Sequence, residues 1–106
     1  MMILGGGALG AGVAALQIAE KLGCPILTTT AGKGAVRADH PLCMGYCLGD
    51  PQIHKLLLRS DAILAIGTEL SETDFWFSEI SIVSNLIRID IDPASLARPH
   101  TAEIAI

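Results

Sequence analysis

Glycines near the amino terminus have the spacing of a dinucleotide-binding turn. The stretch from Ile3 to Gly12 reads ILGGGALGAG, and Gly5-x-Gly7-x-x-Gly10 fits the fingerprint in which a strand turns into a helix. Glycine lets a ligand approach the backbone closely, and the free N–H groups at the start of a helix favour phosphate. Glycines also serve tight strand-to-helix turns in α/β proteins that bind nothing. The motif therefore leaves two interpretations open, a nucleotide site or only a turn.

The end of the second predicted strand argues against NAD. Dinucleotide sites of this type place Asp or Glu at that position, where the carboxylate binds the adenosine ribose. Here the strand ends in Thr28-Thr29-Thr30. Threonine hydroxyls can donate to a phosphate or a ribose, but they do not make the bidentate ribose contact. A nicotinamide-dependent dehydrogenase is therefore disfavoured.

Other ionisable side chains do not form a recognisable catalytic set. His40, His54 and His100 are far apart in the sequence, and none has a serine or cysteine partner in a known nucleophile motif. Asp92 is most simply the N-cap of the helical turn PASL. Asp90, on the same strand face, could accept from a ribose or an adenine amine, or could serve a turn. These two carboxylates have no spacing that predicts a catalytic pair.

The cysteines and the isolated cationic and aromatic residues favour structural roles. Cys24, Cys43 and Cys47 include no C-x-x-C pair, and a structural zinc ion needs four ligands, so we expect no metal site and a reduced, cytoplasmic chain. Lys33 stands between two glycines without P-loop spacing, which predicts a solvent-facing loop residue. Trp76, between two phenylalanines, indicates a core or interface patch.

Composition predicts one globular domain that binds neither nucleic acid nor a membrane. The 106 residues are 51% hydrophobic and only 4% aromatic, so the core must be aliphatic. The net charge is −4, and the seven basic residues are scattered, whereas phosphate backbones require clustered Lys and Arg. No apolar run reaches the ~20 residues that span a bilayer. Met1-Met2 before a very short first strand suggests a domain excised from a larger protein.

Predicted strands and helices alternate along the chain. Helices are expected over Ala11–Leu22, over Pro51–Arg59 after the N-cap Asp50, from the capping-box sequence that starts at Ser71, and after Asp92. The strands are short and either apolar or β-branched. They are predicted at Met2–Leu4, Pro25–Thr30, Leu42–Gly45, Ala62–Ile66, Asn85–Ile91 and Glu103–Ile106.

This alternation without hairpin signals predicts an α/β fold, with an open parallel sheet of about six strands between helices on both faces. Ala62–Ile66 is apolar throughout, as expected of a parallel strand that is buried on both faces. Ligands of such three-layer, Rossmann-like sheets bind beyond the carboxyl ends of the strands. Five stretches lie at that edge: Gly5–Gly7, Thr28–Thr30, Gly45–Tyr46, Gly67–Glu69 and Asp90–Asp92.

Three ordered segments resemble the central domain of thiamine-diphosphate-dependent enzymes. They run from ILGGGALGAG to ADHPLCMGY, over SDAILAIGTELSETDFW, and over LIRIDIDPASLAR. The family includes acetolactate synthase large subunits, benzoylformate decarboxylase and related 2-oxo acid decarboxylases. The resemblance covers essentially the whole chain, and GKG followed by HPL, together with IRIDIDP, is its most specific part. Within the family, GTELSETDFW is most similar to the 5-guanidino-2-oxopentanoate decarboxylase type.

The resemblance implies that the catalytic groups lie outside this chain. Family subunits have two outer domains. One binds the pyrimidine of thiamine diphosphate and supplies the glutamate that activates it. The other binds the diphosphate and supplies a GDG-to-Asn motif that binds Mg²⁺. That motif is absent here: the one Gly-Asp pair of the sequence, Gly49-Asp50, is followed by Pro51 and not by a second glycine. Residues 1–106 are therefore expected to be one domain of a cytoplasmic homo-oligomer, inactive alone. In the family, this domain has strand order 3-2-1-4-5-6 and the deoxyhypusine synthase-like NAD/FAD-binding fold.

The resemblance also places a nucleotide at the carboxyl edge of the sheet. Acetolactate synthases bind the ADP part of FAD in this domain, and oxalyl-CoA decarboxylase binds ADP there. The residues carried over to such a site are Gly6, Gly7, Thr29, Thr30, Gly67, Asp90 and Ile91.

One departure from the family pattern argues against FAD or ADP. FAD-binding members have Gly-Ala-Arg where this chain has Gly67-Thr68-Glu69, and a carboxylate there repels a diphosphate. The alternative to a domain of a larger enzyme is a stand-alone FAD- or ADP-binding Rossmann-like module. A sirtuin-like deacylase is excluded, since it requires a zinc-binding cysteine set that the cysteine spacing does not provide.

Overall fold

The computed structural model describes residues 1–76, 82 and 85–106. All strand pairs in these residues are parallel, and they form a six-stranded sheet in the order β3-β2-β1-β4-β5-β6. The α/β class, the parallel sheet and the strand order are therefore confirmed. The strands are β1 (Met2–Leu4), β2 (Ile26–Thr28), β3 (Cys43–Gly45), β4 (Ala62–Ile66), β5 (Asn85–Ile89) and β6 (Ile104–Ala105).

Four α-helices lie between the strands in the described residues, and the second and fourth begin at the predicted caps. Asp50 accepts from the Gln52 N–H at 2.7 Å, and Asp92 accepts from the Ala94 N–H at 3.0 Å. The helices are α1 (Gly12–Leu22), α2 (Pro51–Arg59), α3 (Glu72–Phe75) and α4 (Pro93–Ala97). No helix in the described ranges is long and apolar enough to cross a bilayer.

The glycine-rich turn differs from the prediction because it is itself helical. A 3₁₀ helix spans Gly6–Ala11 and leads directly into α1, so the chain turns back onto the sheet over one extra helical segment. At the other end of α1, Gly23 adopts φ +60°, and its N–H donates to the Glu20 carbonyl. Glycine adopts this left-handed conformation without a steric penalty and so ends the helix.

Two hydrophobic clusters cover the two faces of the sheet. Along β4, Ile63 and Ala65 belong to the cluster beneath α2 and α3, while Leu64 and Ile66 pack against the cluster beneath α1. The prediction that β4 is buried on both faces is confirmed on the side of α2, whereas Leu64 and Ile66 on the side of α1 are half-buried. In contrast, the described residues cover only one side of α1, since Val13 is 76% exposed. The outer side of that helix is therefore left exposed by this part of the chain.

Hydrogen bonds of local side chains explain why strands β2 and β5 end earlier than predicted. Strand β2 ends at Thr28, not Thr30, because the Thr29 hydroxyl accepts from the Gly32 N–H and forms a turn. Strand β5 ends at Ile89 because Asp90 accepts from the Asp92 N–H. Helix α3 begins after Ser71, as expected, but the Ser71 hydroxyl bonds to the Thr73 hydroxyl and makes no bond to a backbone N–H.

The predicted aromatic patch divides between core and surface. Phe75 is buried in the cluster beneath α2, whereas Trp76 is 77% exposed. The third member, Phe77, lies outside the described residues. Of the two predicted positions, core or interface, Phe75 therefore takes the core one, and for the exposed Trp76 the interface position stays a prediction.

Candidate functional site

The loops after β1 and β4 meet at the carboxyl edge of the sheet, where strand order reverses. Their backbones touch, since a Cβ on Gly7 would lie 2.9 Å from the Gly67 Cα. The Gly7 N–H donates to the Gly67 carbonyl at 3.0 Å, and Gly67 has φ +57°. Close packing between the two loops is therefore sufficient reason for glycine at both positions.

Two other glycines of the opening run are also required by packing. A Cβ on Gly5 would lie 2.1 Å from the Gly67 carbonyl oxygen, and one on Gly12 would lie 1.7 Å from the Ala35 carbonyl oxygen. The third glycine of the fingerprint is different, because a Cβ on Gly10 would meet no atom within 4 Å. The turn interpretation therefore accounts for Gly5 and Gly7 without a ligand.

An open groove of about 610 Å³ lies above these loops. Five of the predicted site residues line it together, from the loops after β1, β2 and β4: Gly6, Gly7, Thr29, Thr30 and Gly67. The opposite wall is formed by Glu69 and by residues around α3, namely Ser71, Thr73 and Asp74.

A second groove of about 500 Å³ adjoins the first and contains the remaining two predicted residues, Asp90 and Ile91. Gly7, Gly67 and Glu69 line both grooves. The structure therefore brings all seven predicted residues to one edge of the sheet, but divides them between two grooves.

Both grooves are acidic. The charged residues that the structure describes in their lining are Glu69, Asp74, Asp90 and Asp92, with no Lys or Arg among them. Burial raises the pKa of Asp74, although hydrogen bonds from Ser71 and from the Thr30 N–H oppose that change. Such a lining favours neutral or cationic ligands and repels a diphosphate.

The hydroxyls of the two predicted threonines already have partners within the protein. The Thr29 side chain is buried and accepts from the Gly32 N–H at 3.1 Å. The Thr30 side chain bonds to the Tyr46 hydroxyl, and its backbone N–H bonds to Asp74. A ligand in the groove would have to compete with these bonds.

Tyr46 connects three loops next to Thr30, which lines the first groove. The Trp76 indole N–H donates to the Tyr46 hydroxyl at 2.7 Å, and the Lys33 ammonium lies 4.7 Å from the centre of the tyrosine ring. Hydrogen bonds from Thr30 and then Trp76 lower the pKa of Tyr46. The exposed Lys33 therefore lies against an aromatic ring outside the groove lining.

Asp90, His40 and His54, considered from the sequence, each have a hydrogen-bond partner within the protein. No group of three or more His, Cys, Asp or Glu among the described residues is placed to hold a metal ion. The Asp90 carboxylate accepts from the Asp92 N–H at 2.9 Å, which is the turn role considered from the sequence. His40 bonds to Glu20 at 3.1 Å, and the His54 Nε2–H donates to the Leu48 carbonyl at 2.7 Å.

Sequence reasoning missed two residues that shape this edge. Asp74 belongs to the acid- and hydroxyl-rich run after β4, and this run could have been predicted as a wall of the site. Arg88 is 1% exposed and donates to three backbone carbonyls beneath the loops. Residues two apart on a strand face the same side, so Arg88 shares the buried face of Leu86. This spacing could have predicted a buried charge.

Comparison with known proteins agrees with this fold and identifies the family of the chain. The family model described as thiamine pyrophosphate enzyme, central domain, matches residues 1–106. A probable 2-ketoarginine decarboxylase of Pseudomonas aeruginosa is 39% identical over 106 residues, which are 100% of this chain and 19% of that protein. A probable acetolactate synthase large subunit of Methanococcus aeolicus is 31% identical over 111 residues, covering 100% of this chain and 18% of the relative.

A solved structure supports the architecture independently. The X-ray structure of a putative thiamin diphosphate-dependent enzyme from Mycobacterium smegmatis superposes with a TM-score of 0.73 at 23% identity, over 99% of this chain and 21% of that one. The chain thus spans about a fifth of the length of the relatives it matches. Since the family model matches along its whole length, the chain belongs to the thiamine pyrophosphate enzyme family and corresponds to its central domain.

Proposed function

We propose that this chain is the structural centre of a larger thiamine-diphosphate-dependent enzyme that decarboxylates a 2-oxo acid or joins it to an acceptor. The observation that carries the proposal is the central-domain match over residues 1–106. The identity of 39% to a probable 2-ketoarginine decarboxylase favours a 2-oxo acid with a cationic side chain as the substrate to test first.

In this proposal the thiamine diphosphate and Mg²⁺ sites belong to flanking domains of the same longer chain. The residues present here do not fit a diphosphate with its metal ion. Asp50, in the Gly-Asp pair of this chain, has its carboxylate bonded to the Gln52 N–H as a helix cap. Both grooves have acidic linings, which would repel the diphosphate. The chain would therefore scaffold the flanking domains and would be inactive alone.

We further propose that the seven predicted site residues do not hold FAD or ADP tightly in this chain. A phosphate cradle requires free backbone N–H groups at the start of the helix. Here the N–H groups of Gly5, Gly7 and Ala8 donate to protein carbonyls. Glu69 adds a negative charge to both grooves, where a diphosphate would need a cation.

The cellular setting is part of the same proposal. Three unpaired cysteines support a reducing, cytoplasmic location. Exposed Val13 and Leu22 on α1 support a larger assembly, in which a flanking domain or another subunit of a homo-oligomer covers that helix.

The test of the enzyme proposal uses the longer protein. With thiamine diphosphate and Mg²⁺, it should release CO₂ from 2-ketoarginine or from pyruvate, while the 106-residue chain under the same conditions should release none. Tight binding of thiamine diphosphate to the 106-residue chain in calorimetry would contradict the assignment of that site to flanking domains.

The test of the nucleotide proposal is a separate calorimetric titration of the 106-residue chain with ADP and with FAD. We expect no binding at sub-millimolar concentration. Glu69→Gln serves as the comparison, because it removes the charge and leaves the Gly7–Gly67 contact in place. Sub-millimolar binding to the wild-type chain would show that the backbone donors and the acidic lining do not exclude a diphosphate.

A further inference from the structure

Arg88 places a buried positive charge beneath the acidic edge of the sheet. It lies on β5, opposite Ala65 of β4, and only 1% of its surface is exposed. Neither ion pair between described residues includes it. A guanidinium removed from water is costly unless hydrogen bonds replace its hydration, so the acceptors around Arg88 carry that compensation.

Three backbone carbonyls from two separate segments provide the acceptors. One guanidinium nitrogen donates to the Thr68 carbonyl at 2.7 Å, in the loop after β4. The other terminal nitrogen donates to the Arg98 carbonyl at 3.1 Å and the His100 carbonyl at 3.0 Å, in the segment between α4 and β6. The Nε has no hydrogen-bond partner. The guanidinium thus has N–H donors to spare, and its acceptors are these three carbonyls, so losing one leaves a further buried donor without a partner.

Each segment is connected to a feature beyond Arg88. The Thr68 hydroxyl accepts from the Leu70 N–H at 3.1 Å, which shapes the turn that carries Glu69 into both grooves. At the other side, the Ile106 N–H donates to the Arg88 carbonyl at 2.9 Å, so the register of β6 is anchored on the same residue.

We infer that Arg88 is a positioning residue that couples the wall of the two grooves to the order of the segment from Arg98 to Ile106. When either segment moves away, the buried charge loses acceptors that nothing else replaces, and the other segment is then held less firmly. The shape of the groove edge and the attachment of β6 are thus one conformational unit. This holds whether or not the groove binds a ligand, and so it does not depend on the proposed function.

Hydrogen–deuterium exchange of the 106-residue chain and its Arg88→Met variant tests the coupling. We expect about tenfold faster exchange in peptides covering both 67–70 and 101–106, since bonds to a charged group are typically strong enough for that change. Peptides of α1 and β2 should change little. The matched control is Arg37→Met, which removes an exposed arginine paired with Asp39. Faster exchange in only one of the two segments would overturn the inference.

A second variant, which loosens β6 and leaves Arg88 in place, tests the coupling if Arg88→Met does not fold. Glu103→Pro removes the Glu103 N–H that donates to the Leu86 carbonyl at 2.8 Å and so loosens β6. With Arg88 present, this change should also speed exchange at 67–70. An effect confined to 101–106 would show that Arg88 transmits nothing between the segments.

Discussion

At the scale of single residues, the sheet edge is shaped by packing and acidic charge. Gly7 and Gly67 are needed because their backbones touch, and Gly7 uses its N–H in the same contact. Glu69 stands at the junction of the two grooves. A glycine-rich fingerprint is therefore compatible with two opposite situations, a free cradle for phosphate or a closed contact between loops.

Two glycines two residues apart should respond to alanine in opposite directions. Gly12→Ala should destabilise the chain by about 2 kcal/mol, because its Cβ would lie 1.7 Å from the Ala35 carbonyl oxygen, a clash that outweighs the better helix propensity. Gly10→Ala is the matched control, since its Cβ meets nothing within 4 Å, and it should stabilise by about 0.5 kcal/mol. Urea unfolding followed by circular dichroism measures both, and equal effects would contradict the packing explanation.

His100 should make the chain less stable in mild acid. Burial, and then the Arg88 charge, hold the pKa of His100 below its ordinary value of 6.5. The unfolded chain therefore binds the proton first, and stability is lost as pH falls through 6.5 toward the folded pKa. His100→Gln should flatten the pH dependence of the urea midpoint in that range. Comparing wild type and His100→Gln at pH 8 isolates the effect on packing, because the histidine is then neutral in both the folded and the unfolded chain. An unchanged pH dependence of the urea midpoint in the variant would count against the burial of His100 as the cause.

At the scale of elements, helix starts can be compared through their caps. Asp50→Ala and Asp92→Ala should each cost about 1 kcal/mol, because each carboxylate accepts from a backbone N–H at its helix start. Ser71→Ala is the control, since the Ser71 hydroxyl makes no such bond, and it should cost clearly less. Thermal unfolding of the three variants provides the measurement. A Ser71→Ala cost equal to the others would show that the side-chain bond is not what caps these helices.

The sequence was sufficient to locate the six strands and the four α-helices of the described residues, because their signals are local. Asp50 before Pro51 and Asp92 before Pro93 define helix starts, and the apolar run of β4 defines a buried parallel strand. The 3₁₀ helix after β1 was not predictable, since it depends on the contact with the β4 loop. The same applies to the site: the strand ends located its residues, but their division between two grooves depends on how Gly7 meets Gly67.

At the scale of the whole molecule, one sheet is shared by two hydrophobic clusters. Neighbouring residues of β4 alternate between them, with Ile63 on the side of α2 and Leu64 on the side of α1. If the strands separate on one face, the apolar residues of the cluster on the other face are exposed as well. The two faces are therefore expected to unfold together, as in other small single domains.

Matched substitutions on the two faces test this cooperativity. Ile63 and Ile26 are both 0% exposed but belong to different clusters. Ile63→Val and Ile26→Val should each lower the free energy of unfolding by about 1 kcal/mol, the usual cost of one buried methylene. Both should shift a single urea transition with an unchanged slope, and the double variant should show the sum, because the sheet separates the two side chains. A second transition in either variant would mean that the faces unfold independently and that the sheet does not unite them.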